Sequence, residues 1–175
     1  MTSRIAFALL CLLPTLPASA ATIEMPLRKA GLWDIKMVME GGRLPAMSMQ
    51  QCTDETTDKQ MSTMFGGAQT GQCSKQDMQK TPTGMVVDSV CNMAGMTMTT
   101  HADISGDFNS AYSVKVSSKR QGGPANIPAD TQMTLDAKWI GACKPDQKAG
   151  DVVMPGGMKI NVKDMQAARP MMPAK

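Results

Sequence analysis

The feature that most constrains this chain is a strict two-residue alternation that recurs in one segment after another. Trp33, Ile35, Met37 and Met39 alternate with Leu32, Asp34, Lys36, Val38 and Glu40, and Met133, Leu135, Ala137 and Trp139 alternate with Gln132, Thr134, Asp136 and Lys138. Successive side chains of a strand point to opposite faces, so each segment has a dry side and a wet side. Residues 73–118 extend the pattern into a meander. Folding the first hairpin about Pro82–Thr83 sets Cys73 opposite Asn92 and Ser74 opposite Cys91. Pairing the second about Asp107 sets Ala102 opposite Tyr112, Thr100 opposite Val114 and Met98 opposite Val116, which keeps one mostly apolar face on both strands.

The other segments fit the same scheme. A short strand is expected at 47–51, ending at Cys52, and Thr53 then caps a helix with Asp54 and Glu55 in its first turn. Met61, Met64 and Phe65 form its apolar side, and Gly66-Gly67 stops it. Residues 120–130, with two Gly and two Pro, read as a surface excursion. Segments 152–154 and 158–162 flank a Pro155-Gly156-Gly157 turn, and Asp164 caps a last helical turn that Pro170 ends. Many short strands, one helix and no β-α-β alternation predict a mainly β fold. The expected form is an antiparallel meander making a curved sheet or open barrel with one helix and two disulfides; a two-sheet sandwich is the alternative. The expected organisation is a signal peptide at 1–20, a lead-in at 21–30, a single domain at 31–165 and a mobile tail at 166–175.

The signal peptide rests on Arg4, an apolar run at 5–13 and the small residues Ala18-Ser19-Ala20. Pro14 and Pro17 interrupt a run already too short to span a bilayer. Cys11 lies inside the apolar run after Leu10, which argues against lipid attachment. The other cysteines, Cys52, Cys73, Cys91 and Cys143, make an even set in a chain addressed for export, the bacterial periplasm being the expected destination. Three pairings are open to them. The hairpin geometry favours Cys73–Cys91, leaving Cys52–Cys143 to tie an early strand end to a late one. A zinc site would need close C-x-x-C pairs, which the chain lacks. A net charge of +3 with scattered basic residues gives no nucleic-acid footprint.

Taken in order, Gly31-Leu32-Trp33 opening a strand, Gln51-Cys52-Thr53 leading into an acidic helix start, Cys73 and Cys91 bracketing a hairpin, and Lys138-Trp139-Ile140-Gly141-Ala142-Cys143 form a recognisable series. It resembles the exported proteobacterial family catalogued as domain of unknown function 3617, over roughly residues 30–165. The resemblance implies an export signal, a β-rich domain and paired cysteines. It implies no catalytic residue, substrate or cofactor.

Catalytic equipment is sparse. The single histidine, His101, falls on the polar side of its strand with Thr97, Thr99 and Asp103, away from Met96, Met98, Ala102 and Ile104. Asp103 is placed to hydrogen-bond it, but no serine or free cysteine is set beside it as a nucleophile. The common nucleophile, zinc and phosphate-loop motifs are missing. Methionine is the unusual component, with 19 in 175 residues, whereas leucine beyond residue 20 occurs only at Leu27, Leu32, Leu44 and Leu135. Packing explains most of this, because a flexible thioether fills irregular core space where leucine is scarce. Two sharper readings are a Cu(I) site, for which Met96 and Met98 are the candidates, and reversible oxidation of exposed methionines. Trp33, Trp139, Met98 and Tyr112 are the candidate lining of an apolar pocket. The sequence therefore predicts a non-enzymatic periplasmic domain without a cofactor. Its expected partner is a small apolar ligand or an envelope protein.

Overall fold

The structure, a computed structural model, describes residues 25–41, 45–65, 73–93, 95–126 and 128–168. The expected signal peptide with Cys11, the start of the lead-in, Leu44, Gly66-Gly67, Pro170 and the end of the tail lie outside the described residues, as do the side chains of Met64 and Phe65. The elements run β1 (Gly31–Met39), β2 (Met47–Thr53), α1 (Glu55–Phe65), β3 (Cys73–Thr81), β4 (Gly84–Met93), β5 (Met96–Asp107), β6 (Ala111–Gln121), β7 (Asp130–Gly141), β8 (Asp151–Val153), β9 (Lys159–Asn161) and α2 (Val162–Ala168). The strands form a single open sheet in the order β3-β4-β5-β6-β7-β1-β2-β8-β9, and every neighbouring pair is antiparallel. The meander is therefore realised as one sheet and the sandwich is not.

The alternation decides the faces. Trp33 lies opposite Trp139 and Gln51, Ile35 opposite Ala137 and Met49, and Met37 opposite Leu135 and Met47. The same apolar face continues through Tyr112, Val114 and Val116 to Ile104, Ala102, Met85, Val87 and Met78. Its core is Trp33, Ile35 and Ala137, with Met49, Tyr112, Leu135 and Trp139 packed around them. Gly31 is required where β1 enters this core. Its φ is +131°, and a Cβ there would run into the Gly141 carbonyl and the Trp139 indole nitrogen. The edges are blunted, since β9 has three residues and β3 carries Lys75 and Lys80.

Several local expectations need correction. Cys73 faces Cys91 directly, because the ladder shifts by one residue between Cys73 and Lys75. The second hairpin pairs Ala102 with Val116, Ile104 with Val114 and Met98 with Arg120. Its turn is 108–110, held by the Asp107 carboxylate, which accepts from the Asn109 backbone N–H (2.9 Å) and the Ser110 hydroxyl (2.9 Å). The shift is an even number of residues, so every side chain keeps its face. The cap of α1 is Asp54 rather than Thr53: the Asp54 carboxylate accepts from the Thr57 N–H (2.7 Å), and the Thr57 hydroxyl accepts from the Asp54 N–H (3.0 Å). Asn161 rather than Asp164 caps α2, accepting from the Lys163 N–H (2.9 Å).

The two disulfides join Cys52 to Cys143 and Cys73 to Cys91, across 91 and 18 residues of chain. The first ties β2 to the segment after β7. There the Gly150 N–H also donates to the Cys52 carbonyl at 2.8 Å, docking β8 beside β2. Loop-closure entropy makes the longer bridge the more stabilising, at about 4.5 kcal/mol against about 3 kcal/mol. In urea denaturation, Cys52→Ser/Cys143→Ser is expected to lose more stability than Cys73→Ser/Cys91→Ser. The reverse order would show that edge closure matters more than chain entropy.

Candidate functional site

Burial along the apolar face is graded from one end to the other. At the end where β1 begins, Trp33 (0 % exposed), Ala137 (2 %), Met85 (3 %), Ile104 (5 %) and Ile35 (6 %) are sealed. At the opposite end Met37, Met39, Met47, Met96, Met98 and Met133 are only half-buried, and so are Val114 and Val116 between. Among the described methionine side chains, Met85 alone is buried. The fully buried residues of the face thus cluster at its aromatic end, where Trp139, Tyr112 and Met49 remain half-buried, and none of the described ones lies at its methionine end.

The closure is a polar clamp under α1. Arg28, in the lead-in, donates from Nε to Asp58 Oδ1 (2.6 Å), from its backbone N to Asp58 Oδ2 (2.7 Å) and from Nη1 to Gln51 Oε1 (3.0 Å). Its Nη2 also lies 2.6 Å from Asp58 Oδ1, with the two side chains 8 % and 5 % exposed. The guanidinium sits 5.8 Å from the Trp33 ring centroid, and the Gln51 amide reaches the Met61 sulfur. Nearly every polar group of the pair is thereby matched, as burial of charge demands; losing one partner costs about 3–5 kcal/mol. Burial also pushes the Tyr112 hydroxyl above its ordinary pKa, although Arg28 opposes the shift.

The structure brings three of the four expected pocket residues together. Trp33 packs against Tyr112 at 5.6 Å between centroids, and Tyr112 stacks on Phe108 at 4.7 Å. Trp139 pairs with Trp33, donates to the Ala30 carbonyl (3.1 Å) and carries Lys29 Nζ 3.6 Å above its ring. With no exposed surface, Trp33 is a core anchor. Met98 stands apart: Tyr112 faces Gly106, eight residues up β5, which is about 27 Å of strand. Met98 lies instead between Cys91 and Arg120. The Arg28–Asp58–Gln51 cluster escaped the sequence reading. The signal available was an acid three residues before Met61, on the apolar side of α1.

On the polar face, His101 lies opposite Asp88 on β4 and Ser117 on β6. Its Nδ1 is 2.8 Å from Asp88 Oδ1 and its Nε2 is 3.4 Å from Asp103 Oδ2. The expected Asp103 contact is present, and Asp88 is the closer partner. Both ring nitrogens are directed at carboxylates, so neither is turned to Ser117 as a base. Among the described residues, no three His, Cys, Asp or Glu side chains converge as metal ligands, and no helix is long and apolar enough to cross a membrane. A groove of about 550 Å³ near the C-terminal hairpin is lined by mixed charges that pair internally, Lys159 with Asp146 (3.3 Å) among them.

The hydrogen bond that Asp88 accepts from the ring raises the His101 pKa above its ordinary 6.5; desolvation opposes it, and the charges of Asp88 and Asp103 add to the rise. The raised folded-state value means that the contact stabilises fully below about pH 6.5 and fades as pH rises through the folded pKa. An NMR titration of the His101 ring is expected to give a midpoint above 6.5 that falls in Asp88→Asn. A midpoint unmoved by Asp88→Asn would contradict the geometry.

Comparison with known proteins adds the family. No curated protein and no solved structure matches the chain. Residues 28–143, from the clamp arginine to the last disulfide cysteine, match the family described as Protein of unknown function (DUF3617), and the chain belongs to that family.

Proposed function

We propose that this chain is a non-enzymatic, exported β-domain that holds a single apolar chain, such as a fatty acyl group, along its methionine-lined face. The observation that carries this reading is the burial gradient. A continuous apolar register runs from Met78 on β3 to Met47 on β2, yet its fully buried residues all cluster toward the aromatic end. A face that served packing alone would be covered along its whole length. Unbranched, flexible methionine suits an occupant that is itself unbranched and flexible, because the thioether arms adjust around it without a preformed shape. The export reading is supported by the composition of residues 1–20 and by the two disulfides.

The test is displacement of a fluorescent polyene fatty acid by palmitate from the disulfide-intact protein. Saturable binding is expected, weakened at least tenfold by Val116→Asp in the middle of the apolar face and unchanged by Lys119→Asp on the polar face. Absence of saturable binding, or equal loss in both variants, would refute the proposal.

A further inference from the structure

The expected soft-metal pair, Met96 and Met98, lies in a poor place for a cation. Met98 is directly opposite Arg120, and a Cβ placed on Gly123 would touch both the Met96 sulfur and Arg120 Nη1. A metal ion held by those sulfurs would sit beside a guanidinium.

The opposite holds at the open end of β1. Met37 faces Met47 on β2, Met39 faces Met133 on β7, and Met37 and Met39 share one face of β1. Directly opposed Cβ atoms in an antiparallel pair are about 4.5–5.5 Å apart, and diagonal ones about 7–8 Å. Each thioether hangs on a flexible two-bond arm beyond Cβ, so three of these sulfurs can close on a common point. All four residues are half-buried, neither sealed in the core nor free in solvent. Among the described residues, their neighbours on the face, Leu135, Val116 and Thr131, carry no charge to repel a cation and no carboxylate or imidazole to attract a harder one. We propose that Met37, Met39, Met47 and Met133 form a thioether site for a soft monovalent cation, Cu(I) or its mimic Ag(I). The site shares the methionine end with the proposed acyl face but rests on sulfur chemistry alone, so its Cu(I) test stands or falls apart from the palmitate test.

Anaerobic titration against the coloured Cu(I)–bicinchoninate complex tests it. One equivalent of Cu(I) is expected to pass to the wild-type protein. Met37→Leu/Met47→Leu, a volume-conserving change, should weaken transfer at least tenfold, and Met96→Leu/Met98→Leu should leave it unchanged. A second measurement does not depend on the variants folding. Adding Ag(I) to wild-type protein labelled at the methionine methyls should shift the signals of Met37, Met39, Met47 and Met133 and leave Met85 in place. No transfer of Cu(I), equal loss in the two double variants, or Ag(I) shifts centred on other methionines would overturn the assignment.

Discussion

The buried pair between Arg28 and Asp58 is the contact on which the rest of the arrangement depends. A nine-stranded open sheet with one apolar face needs cover, and a short helix beside β2 has no strand ladder to fix it in place. The carboxylate supplies the fix. It takes three donors from Arg28, which in turn ties Gln51 of the sheet and lies over Trp33. Lead-in, helix and sheet meet at one charge pair, so the aromatic end of the face is closed. The methionine end has no such tie among the described residues, and its side chains stay half-buried.

The same logic explains the order of covalent and polar ties. Cys52–Cys143 sits at the closed end, directly behind Gln51 in the strand, and the Gly150 N–H bond to the Cys52 carbonyl brings β8 and β9 to that end as well. Val152 lies opposite Gln51 and is buried, which extends the sealed region past β2. At the other end the Cys73–Cys91 bridge pins the edge strand β3 to β4 and leaves the face before it open.

Period-two patterning made the strands and their faces legible, because each strand has one wet side to betray it. The disulfides were legible because a short hairpin brings two of four cysteines within a residue of each other. Register was the weaker part. The Asp107 turn moved the second hairpin's pairing by four residues, and the one-residue bulge at Cys73 absorbed the misfit that symmetrical folding left. The Arg28–Asp58 pair was not legible, since an ion pair spanning thirty residues leaves no local period; the acid three residues before Met61 was its trace. Equally hidden was the meeting of Met37 and Met39 with Met47 and Met133. Their apposition needs the ladders that β1 makes with β2 and β7, and the same ladder logic set Met98 beside Arg120.

The functional account reduces to a claim about water: the aromatic end of the face is dry and the methionine end is wetted. Solvent paramagnetic relaxation of the methionine methyl signals measures this directly, residue by residue. The account predicts that a soluble gadolinium chelate spares Met85 and strongly broadens Met37, Met39, Met47, Met96, Met98 and Met133. Uniform protection of all these methyls would mean that the face is packed from end to end, and would contradict the account.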